Sequence, residues 1–425
     1  MTTLEYYYYS IGILLVYLVI LFFNKQYRLI LPSTSFCVMW LITCVLIVFQ
    51  VKGYFVSSIL PEQKVALVAR FTFFMCVSSI IGFALSHMFL SKSSLTFTNN
   101  VINADLLEYY LYKFRWIPYF CGIVGFSLLI FIIYTIGSID SFSDYRVVAI
   151  YTERVGYAKI AQRISGHINI LGMFYLMLYG YVSGQKGINI KHFIWIVFLC
   201  SLINMSIGGR VWIITSLLPF VTTYLLSIFK PNPELDLYSS NRKLLLILII
   251  CVSLFSILGT LRSDEGDYTF IDKFLYLTDG SKMTNLMLGF YPEDTYDLEY
   301  GRSTLLNGFI DSPMKDKFAE RISDNIGLSV TVKSILPNLY YDFGIYGGAI
   351  FMGFLCFALE IICMYFRYSS SVLGLICYGT IAGFLVQSPV GNVFALYTPI
   401  FEWIAIIFIF RKWIFNKGIT EFDNN

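Results

Sequence analysis

The triplet Gly208-Gly209-Arg210 stands between two apolar stretches and is the sharpest local feature of the sequence. Two glycines allow a tight backbone turn between antiparallel helices, so Arg210 would begin the second helix at a membrane surface. A guanidinium there can bind an anionic head group through a planar fork of donors, and the helix N-terminus adds positive potential. The alternative interpretation is an arginine that only anchors a short turn at the surface.

A second cationic group precedes this turn and consists of Arg146, Arg154, Arg163 and His167. Arg163 and His167 are four residues apart, so they share one helix face just where an apolar stretch begins. Arginines on an interfacial helix suit a bound lipid phosphate, although each of them singly is also typical of a solvated amphipathic helix. Their occurrence together with Arg210 favours anion binding.

Carboxylates supply the third candidate group. Arg262 ends an apolar stretch and could flank one diphosphate together with Arg210, and it is followed by Asp264 and two further acidic residues. Such a cluster could supply a general base, hold a divalent cation or form a solvated loop. Tyr341 and Asp342 stand where a later apolar stretch begins. Aromatic residues there are typical of an interfacial belt, and Asp342 is a candidate base.

The composition predicts membrane helices, and these residues lie near their ends or in the loops between them. The chain has 425 residues, of which 57% are hydrophobic and 13% charged. A helix needs roughly 20 apolar residues to cross the hydrocarbon, and on that rule we predict an all-α, polytopic membrane helix bundle of about eleven spans in a single domain, 1–425. The predicted spans lie near 8–23, 36–51, 66–90, 116–137, 166–183, 192–207, 211–229, 244–261, 339–366, 371–388 and 394–412.

Two carboxylates, Glu360 and Glu402, fall inside predicted spans. A charge in hydrocarbon costs a few kcal/mol, so each of them needs a partner or a water-filled environment. We expect Glu360 to be structural, and Glu402 to be near enough to the opposite surface to meet an arginine.

Basic residues in the short loops predict the orientation. With the N-terminus outside, fourteen Lys and Arg residues face the cytoplasm, and the short outer loops hold eight. Both long connections, residues 138–165 and 262–338, then fall on the outer face. The first is predicted to be an amphipathic outer loop. The second is too apolar for a disordered tail, so we expect short amphipathic helices there.

This layout resembles the oligosaccharide repeat-unit polymerases of bacterial O-antigen and capsule assembly, the Wzy type. The resemblance rests on size, span number, Asp144-Tyr145-Arg146 opening an outer loop, the Gly-Gly-Arg turn, and a late outer loop followed by the glycine-containing stretch 341–348. It implies a GT-C-like membrane glycosyltransferase, related to the O-antigen ligases, at the outer (periplasmic) face of the bacterial inner membrane, with the N-terminus periplasmic and the C-terminus cytoplasmic.

The resemblance also implies the substrates and the roles of residues. Donor and acceptor would be polyprenyl-diphosphate-linked oligosaccharides, with the bilayer and a chain-length regulator as further partners. Arg210, with Arg146 and Arg262, would stabilise the departing diphosphate, and Asp264, Glu265 or Asp342 would compete with His167 as the base. Arg154, Arg163, His167, Gly208, Gly209 and Tyr341 complete the predicted substrate site.

Other partners and functions have different signatures. No Cys/His spacing in the sequence predicts a metal site, and no nucleotide-binding loop occurs, so we expect no metal and no cofactor. The formal net charge of +3 is too small to indicate a nucleic-acid partner. The alternatives are a flippase or transporter of the same lipid-linked sugars, and an O-antigen ligase. The related ligases place a histidine in their large outer loop, and residues 262–338 contain none.

Overall fold

The computed structural model describes residues 2–23, 32–53, 65–92, 104–136, 156–187, 189–206, 210–229, 279–290, 297–300, 335–368, 372–386 and 388–389, and the single positions 302, 304, 313, 317, 404 and 408. Throughout these ranges the regular secondary structure is α-helical. The helices are α1 (Thr3–Phe23), α2 (Pro32–Val51), α3 (Val65–Lys92), α4 (Ala104–Lys113), α5 (Trp116–Ile136), α6 (Gly156–Lys186), α7 (Ile190–Ser206), α8 (Arg210–Phe229), α9 (Asp279–Phe290), α10 (Ile335–Tyr368) and α11 (Val372–Val386).

Four of these helices, α1, α2, α3 and α10, are long and apolar enough to cross a membrane. A fifth crossing is formed if α4 and α5 count as one span, because these two helices meet at a bend of 40°. The all-helical prediction is therefore confirmed for the described residues. The predicted span near 244–261 lies outside them, and of the span near 394–412 only Ile404 and Phe408 are described.

Helix α6 is longer than predicted, whereas α9 follows the prediction. Helix α6 begins at Gly156, ten residues before the predicted span at 166, so the last part of the predicted outer loop 138–165 is helical. This extension is amphipathic rather than apolar, and hydropathy alone therefore did not mark it. Helix α9 is a short helix inside the large predicted loop 262–338, as expected, and it packs against α3.

The chain forms two compact units, of which unit 1 contains residues 1–97, 267–365 and 384–396. In unit 1, α1 and α3 run parallel, because Tyr6 packs on Phe73 at one end and Tyr17 on Phe83 further along. Helix α2 runs antiparallel to α1, since Lys52 at its C-terminal end lies 5.5 Å from the ring centroid of Tyr8. Alternate crossings of a membrane produce this pattern.

Helix α10 runs parallel to α3. Arg70 lies over Tyr346, and Phe89 packs on Phe357 with ring centroids 6.3 Å apart. Between these contacts the two backbones approach so closely that a Cβ atom added at Gly82 would lie 2.1 Å from the carbonyl oxygen of Gly353. Small residues at such a crossing allow the close packing that holds membrane helices together.

Unit 2 contains residues 98–266, 366–383 and 397–425. Helices α5 and α7 run parallel, with Gly122 against Leu199 and Gly125 against Ile203. Helix α6 is antiparallel to α5, because Phe114, just before α5, packs on Phe174, and Cys121 lies near the carbonyl of Ile168. As in unit 1, neighbouring directions are those expected of helices that cross a membrane in turn.

Candidate functional site

The predicted site residues fall in both units, and part of them lies outside the described residues. The latter are Arg146, Arg154, Gly208, Gly209, Arg262 and Asp264. In unit 2, Arg210 is the first residue of α8, and Arg163 and His167 lie on α6. In unit 1, Tyr341 and Asp342 lie in α10.

In unit 2, side-chain hydroxyls join α6 and α8 in one regular register. Thr223 donates from Oγ1 to the carbonyl of Met177 at 2.9 Å, and Ser227 donates from Oγ to the carbonyl of Tyr181 at 2.6 Å. Both bonds connect residues 46 positions apart. Gly180 allows this approach, since a Cβ atom there would lie 2.6 Å from the carbonyl oxygen of Phe220. The two helices therefore run parallel in close contact.

The same register places the N-terminus of α8 on α6. An offset of 46 from Arg210 leads to position 164, between Arg163 and His167. Helix α8 carries Pro219 between the bonded turns and Arg210, so a bend there would shift the level by a fraction of a turn. The backbone thus brings the predicted cationic positions 163, 167 and 210 to one level at one end of the α6–α8 pair. The imidazole of His167 is exposed at this level.

In unit 1, α10 is broken at Gly344. This residue has φ 68° and ψ −170°, a conformation that only glycine adopts readily, so the helix is interrupted within the predicted ninth span. A break of this kind leaves carbonyl groups of the preceding turn without their helical partners. The stretch 341–348, on which the family resemblance partly rests, is thus the place where this helix changes course.

A segment of the large loop satisfies the freed carbonyls. The backbone N–H of Glu299 donates to the carbonyl of Tyr341, and that of Tyr300 donates to the carbonyl of Asp342, both at 3.1 Å. The Asp342 carboxylate, which is fully buried, accepts bonds from the backbone N–H of Thr304, at 2.6 Å, and from its hydroxyl. We call residues 299, 300 and 304 the docking segment.

These contacts assign Asp342 a positioning role. Its carboxylate holds the docking segment against the broken helix, and the side chain of its neighbour Tyr341 is fully buried as well. The role of Asp342 as a general base stays a prediction, since a base must also reach the acceptor hydroxyl.

Arg70 is a candidate that the sequence analysis did not single out. Arg70 is half-buried. Its guanidinium carbon lies 5.0 Å from the ring centroid of Tyr346, two residues after the break at Gly344, and 5.8 Å from the ring centroid of Phe74. Within the described part of the chain no carboxylate pairs with it, so the donors at the guanidinium edge remain available to an anion. The sequence signal for this contact is an arginine, Arg70, four residues before Phe74 near the start of the predicted span 66–90, because that spacing favours a cation–π contact on one helix face.

The opposite end of unit 1 holds a buried acid. Glu360 is fully buried and accepts hydrogen bonds from the backbone N–H of Ser33, at 3.0 Å, and from its hydroxyl, at 2.8 Å. Nε2 of His87 lies 3.1 Å from the same carboxylate. The prediction that this carboxylate has partners is confirmed, and the partners join α10 to α2 and α3. Glu402 lies outside the described residues.

Over the described ranges, no three His, Cys, Asp or Glu side chains gather as metal ligands. Comparisons of the chain with protein-family models, with curated proteins and with solved structures found no match.

Proposed function

We propose that this chain is a GT-C-like membrane glycosyltransferase that polymerises polyprenyl-diphosphate-linked oligosaccharide repeat units at the outer face of the bacterial inner membrane. The observation that carries the proposal is the common level of positions 163, 167 and 210 on the α6–α8 pair. Two arginine positions and one histidine position at one end of two membrane helices suit a lipid-borne diphosphate, because phosphate oxygens accept several hydrogen bonds, and those from guanidinium groups are charge-assisted.

The reaction explains why cations are needed there. The acceptor hydroxyl oxygen attacks the anomeric carbon of the donor sugar, and the bond from that carbon to the diphosphate oxygen breaks. The hydroxyl proton passes to a base, and the polyprenyl diphosphate leaves with the bonding electron pair. Negative charge therefore grows on the leaving group, and guanidinium groups already in position stabilise it. Arg210 is the first candidate for this role because it begins a helix, whose N-terminal dipole acts in the same sense.

Unit 1 contributes support of a second kind. The docking segment belongs to the large loop, and it is bound to α10 through Asp342 and through carbonyls freed at Gly344. A loop fixed in this way can hold an extended glycan acceptor in one orientation. Arg70, beside the same break, has no carboxylate partner among the described residues and is a further candidate for contact with phosphate.

The predicted count of about eleven spans agrees with the direction of the helices. Helices α3 and α10 run parallel, so an odd number of crossings must separate them. The prediction has five between the third span and the ninth. The outer location of the large loop and the cytoplasmic C-terminus follow the excess of basic residues in the other loops.

A flippase for the same lipid-linked sugars is the second candidate. The observation that favours it is the buried Glu360 beside His87, because ionisable groups inside a membrane bundle often belong to a transport path. This carboxylate is already bonded to Ser33, however, which is typical of a structural tie. A ligase would share the chemistry at Arg210 and differ in its acceptor.

The test is the substitution Arg210→Ala, with Arg28→Ala as the matched control on the predicted cytoplasmic side. We expect Arg210→Ala to abolish polymer at unchanged protein level, since loss of one preorganised donor to a developing negative charge lowers kcat by about 10²- to 10³-fold. A surface glycan ladder of normal length in the variant would remove Arg210 from the mechanism.

The purified chain should also be incubated with a lipid-linked repeat unit. Longer lipid-linked chains on a gel are expected of a polymerase. Unaltered substrate that has changed leaflet in vesicles would instead support the flippase, and transfer only to a separate lipid acceptor would support the ligase.

A further inference from the structure

Unit 2 contains a groove where the C-terminal end of α4, the start of α5, the end of α6 and the start of α7 meet. Its volume is about 440 Å³, within the range of roughly 300–1,000 Å³ that is usual for small-molecule sites. It lies at the end of α6 opposite to the level of Arg210. The two levels are 22 residues apart along α6, from position 164 to Lys186, or roughly 33 Å at 1.5 Å per residue. The groove is therefore separate from the proposed catalytic end.

The rim of the groove, at the helix ends, carries charged and polar side chains. Lys186 pairs with Asp105 at 2.7 Å and with Glu108, and these carboxylates raise its pKa, so the ammonium stays charged. Arg115 lies with its guanidinium carbon 4.7 Å from the ring centroid of Tyr112. Among the described residues Arg115 has no carboxylate partner, because both nearby acids face Lys186.

The rim also contains His192. Its exposed ring meets Tyr179 edge-on, with centroids 5.7 Å apart, and its backbone N–H donates to the side chain of Asn189 at 3.3 Å. Of the ionisable groups that line the groove, Glu108 and Lys186 balance each other. Arg115 remains as the basic side chain of the lining that no carboxylate of the described residues pairs with.

The groove becomes apolar away from the rim. On α6 its lining runs from Lys186 through Val182 to Tyr175, and on α7 from His192 through Ile196 to Leu199. The stretch from Lys186 to Tyr175 is roughly 16 Å long at 1.5 Å per residue. A charged rim at the helix ends and an apolar channel toward the middle of the bundle match a molecule with an anionic head and a hydrocarbon chain.

We propose that this groove binds an anionic glycerophospholipid, with its phosphate at Arg115 and one acyl chain between α6 and α7. A guanidinium whose flat face lies on an aromatic ring still presents its edge to phosphate oxygens. A free phosphate ion would use the rim and leave the apolar channel empty. The guanidinium of Arg115, which has no carboxylate partner among the described residues, favours an anionic lipid over a zwitterionic one by about 1 kcal/mol.

The test uses the purified full chain in detergent, stripped of lipid and titrated with phosphatidylglycerol, with bound lipid counted by native mass spectrometry. We expect one retained lipid, and binding about five- to tenfold weaker in Arg115→Gln. The control is Lys113→Gln, because Lys113 also lies over an aromatic ring, Tyr109, at 4.3 Å, but does not line the groove. Its lipid binding should be unchanged.

Three competing ligands complete the design. Phosphatidylcholine and inorganic phosphate should displace the bound phosphatidylglycerol poorly. Equal retention of phosphatidylcholine would overturn the preference for an anionic head, and displacement by inorganic phosphate alone would overturn the lipid assignment. Displacement by diacylglycerol, which lacks the phosphate, would overturn the role of Arg115, as would unchanged binding in Arg115→Gln.

Discussion

Replacement of Asp342 by asparagine should release the docking segment from α10. The carboxylate accepts two hydrogen bonds from Thr304, one from the backbone and one from the hydroxyl. An amide keeps one acceptor and turns an N–H group toward the remaining donor. The neighbouring bonds from Glu299 and Tyr300 go to backbone carbonyls, which the substitution leaves in place.

The expected magnitude follows from these two bonds. A hydrogen bond to a charged group contributes about 1.5–3 kcal/mol, and a donor left facing another donor costs a further part of that amount. A net loss of about 2–4 kcal/mol raises the equilibrium constant for opening of the segment by roughly 30- to 900-fold. Hydrogen exchange measured by mass spectrometry should therefore show much faster exchange at the amides of Glu299, Tyr300 and Thr304. The control is the exposed Asp297, two residues before the docking segment; its change to asparagine should leave exchange unaltered.

Unchanged exchange in Asp342→Asn would refute the reasoning, because the segment would then be held without the carboxylate. Thr304→Val separates anchoring from catalysis: it removes the hydroxyl bond and keeps the Asp342 carboxylate. If Asp342 only positions the loop, activity should fall in both variants in proportion to the loss of protection. Abolished activity in Asp342→Asn together with normal activity and loosened exchange in Thr304→Val would show that the carboxylate acts as the base.

Two further predictions concern the packing of unit 1. Glu360→Gln should lower the free energy of unfolding by about 1–3 kcal/mol, because one donor of Ser33 loses its acceptor. The control Glu5→Gln, at an exposed position, should change this free energy little. Both are measured by unfolding with sodium dodecyl sulfate in mixed micelles. Gly82→Ala should cost about 1–3 kcal/mol, since its Cβ would overlap the α10 backbone, and Gly12→Ala, which meets open space, should be nearly neutral in the same assay.

Long apolar runs allowed the helices to be predicted from the sequence. Apolar residues dominate each run, whatever the helix packs against. Helices α1, α2, α3 and α10 contain their predicted spans completely. The early start of α6 was not predictable in this way, since a helical segment with one polar face and one apolar face has a low mean hydropathy.

The site was predictable in part. The arginines at span ends follow from charge and hydropathy alone, and the registry of α6 on α8 then brings positions 163 and 210 to one level. The bonds of Asp342 to Thr304 and of Glu360 to Ser33 were not predictable, because they join residues 38 and 327 positions apart and depend on the tertiary fold. Nothing local in the sequence distinguishes an aspartate that will anchor a loop from one that will stay in solvent.

The break at Gly344 bears on how the protein is made. Glu299 and Tyr300, which cap the opened turn, precede α10 in the chain and therefore leave the ribosome before it. A backbone carbonyl without a hydrogen bond in hydrocarbon costs several kcal/mol, so insertion of the interrupted helix into the bilayer is less favourable without these two residues. The backbone N–H groups of Glu299 and Tyr300 are therefore synthesised before α10. They are available to bind the free carbonyls of α10 when this helix inserts.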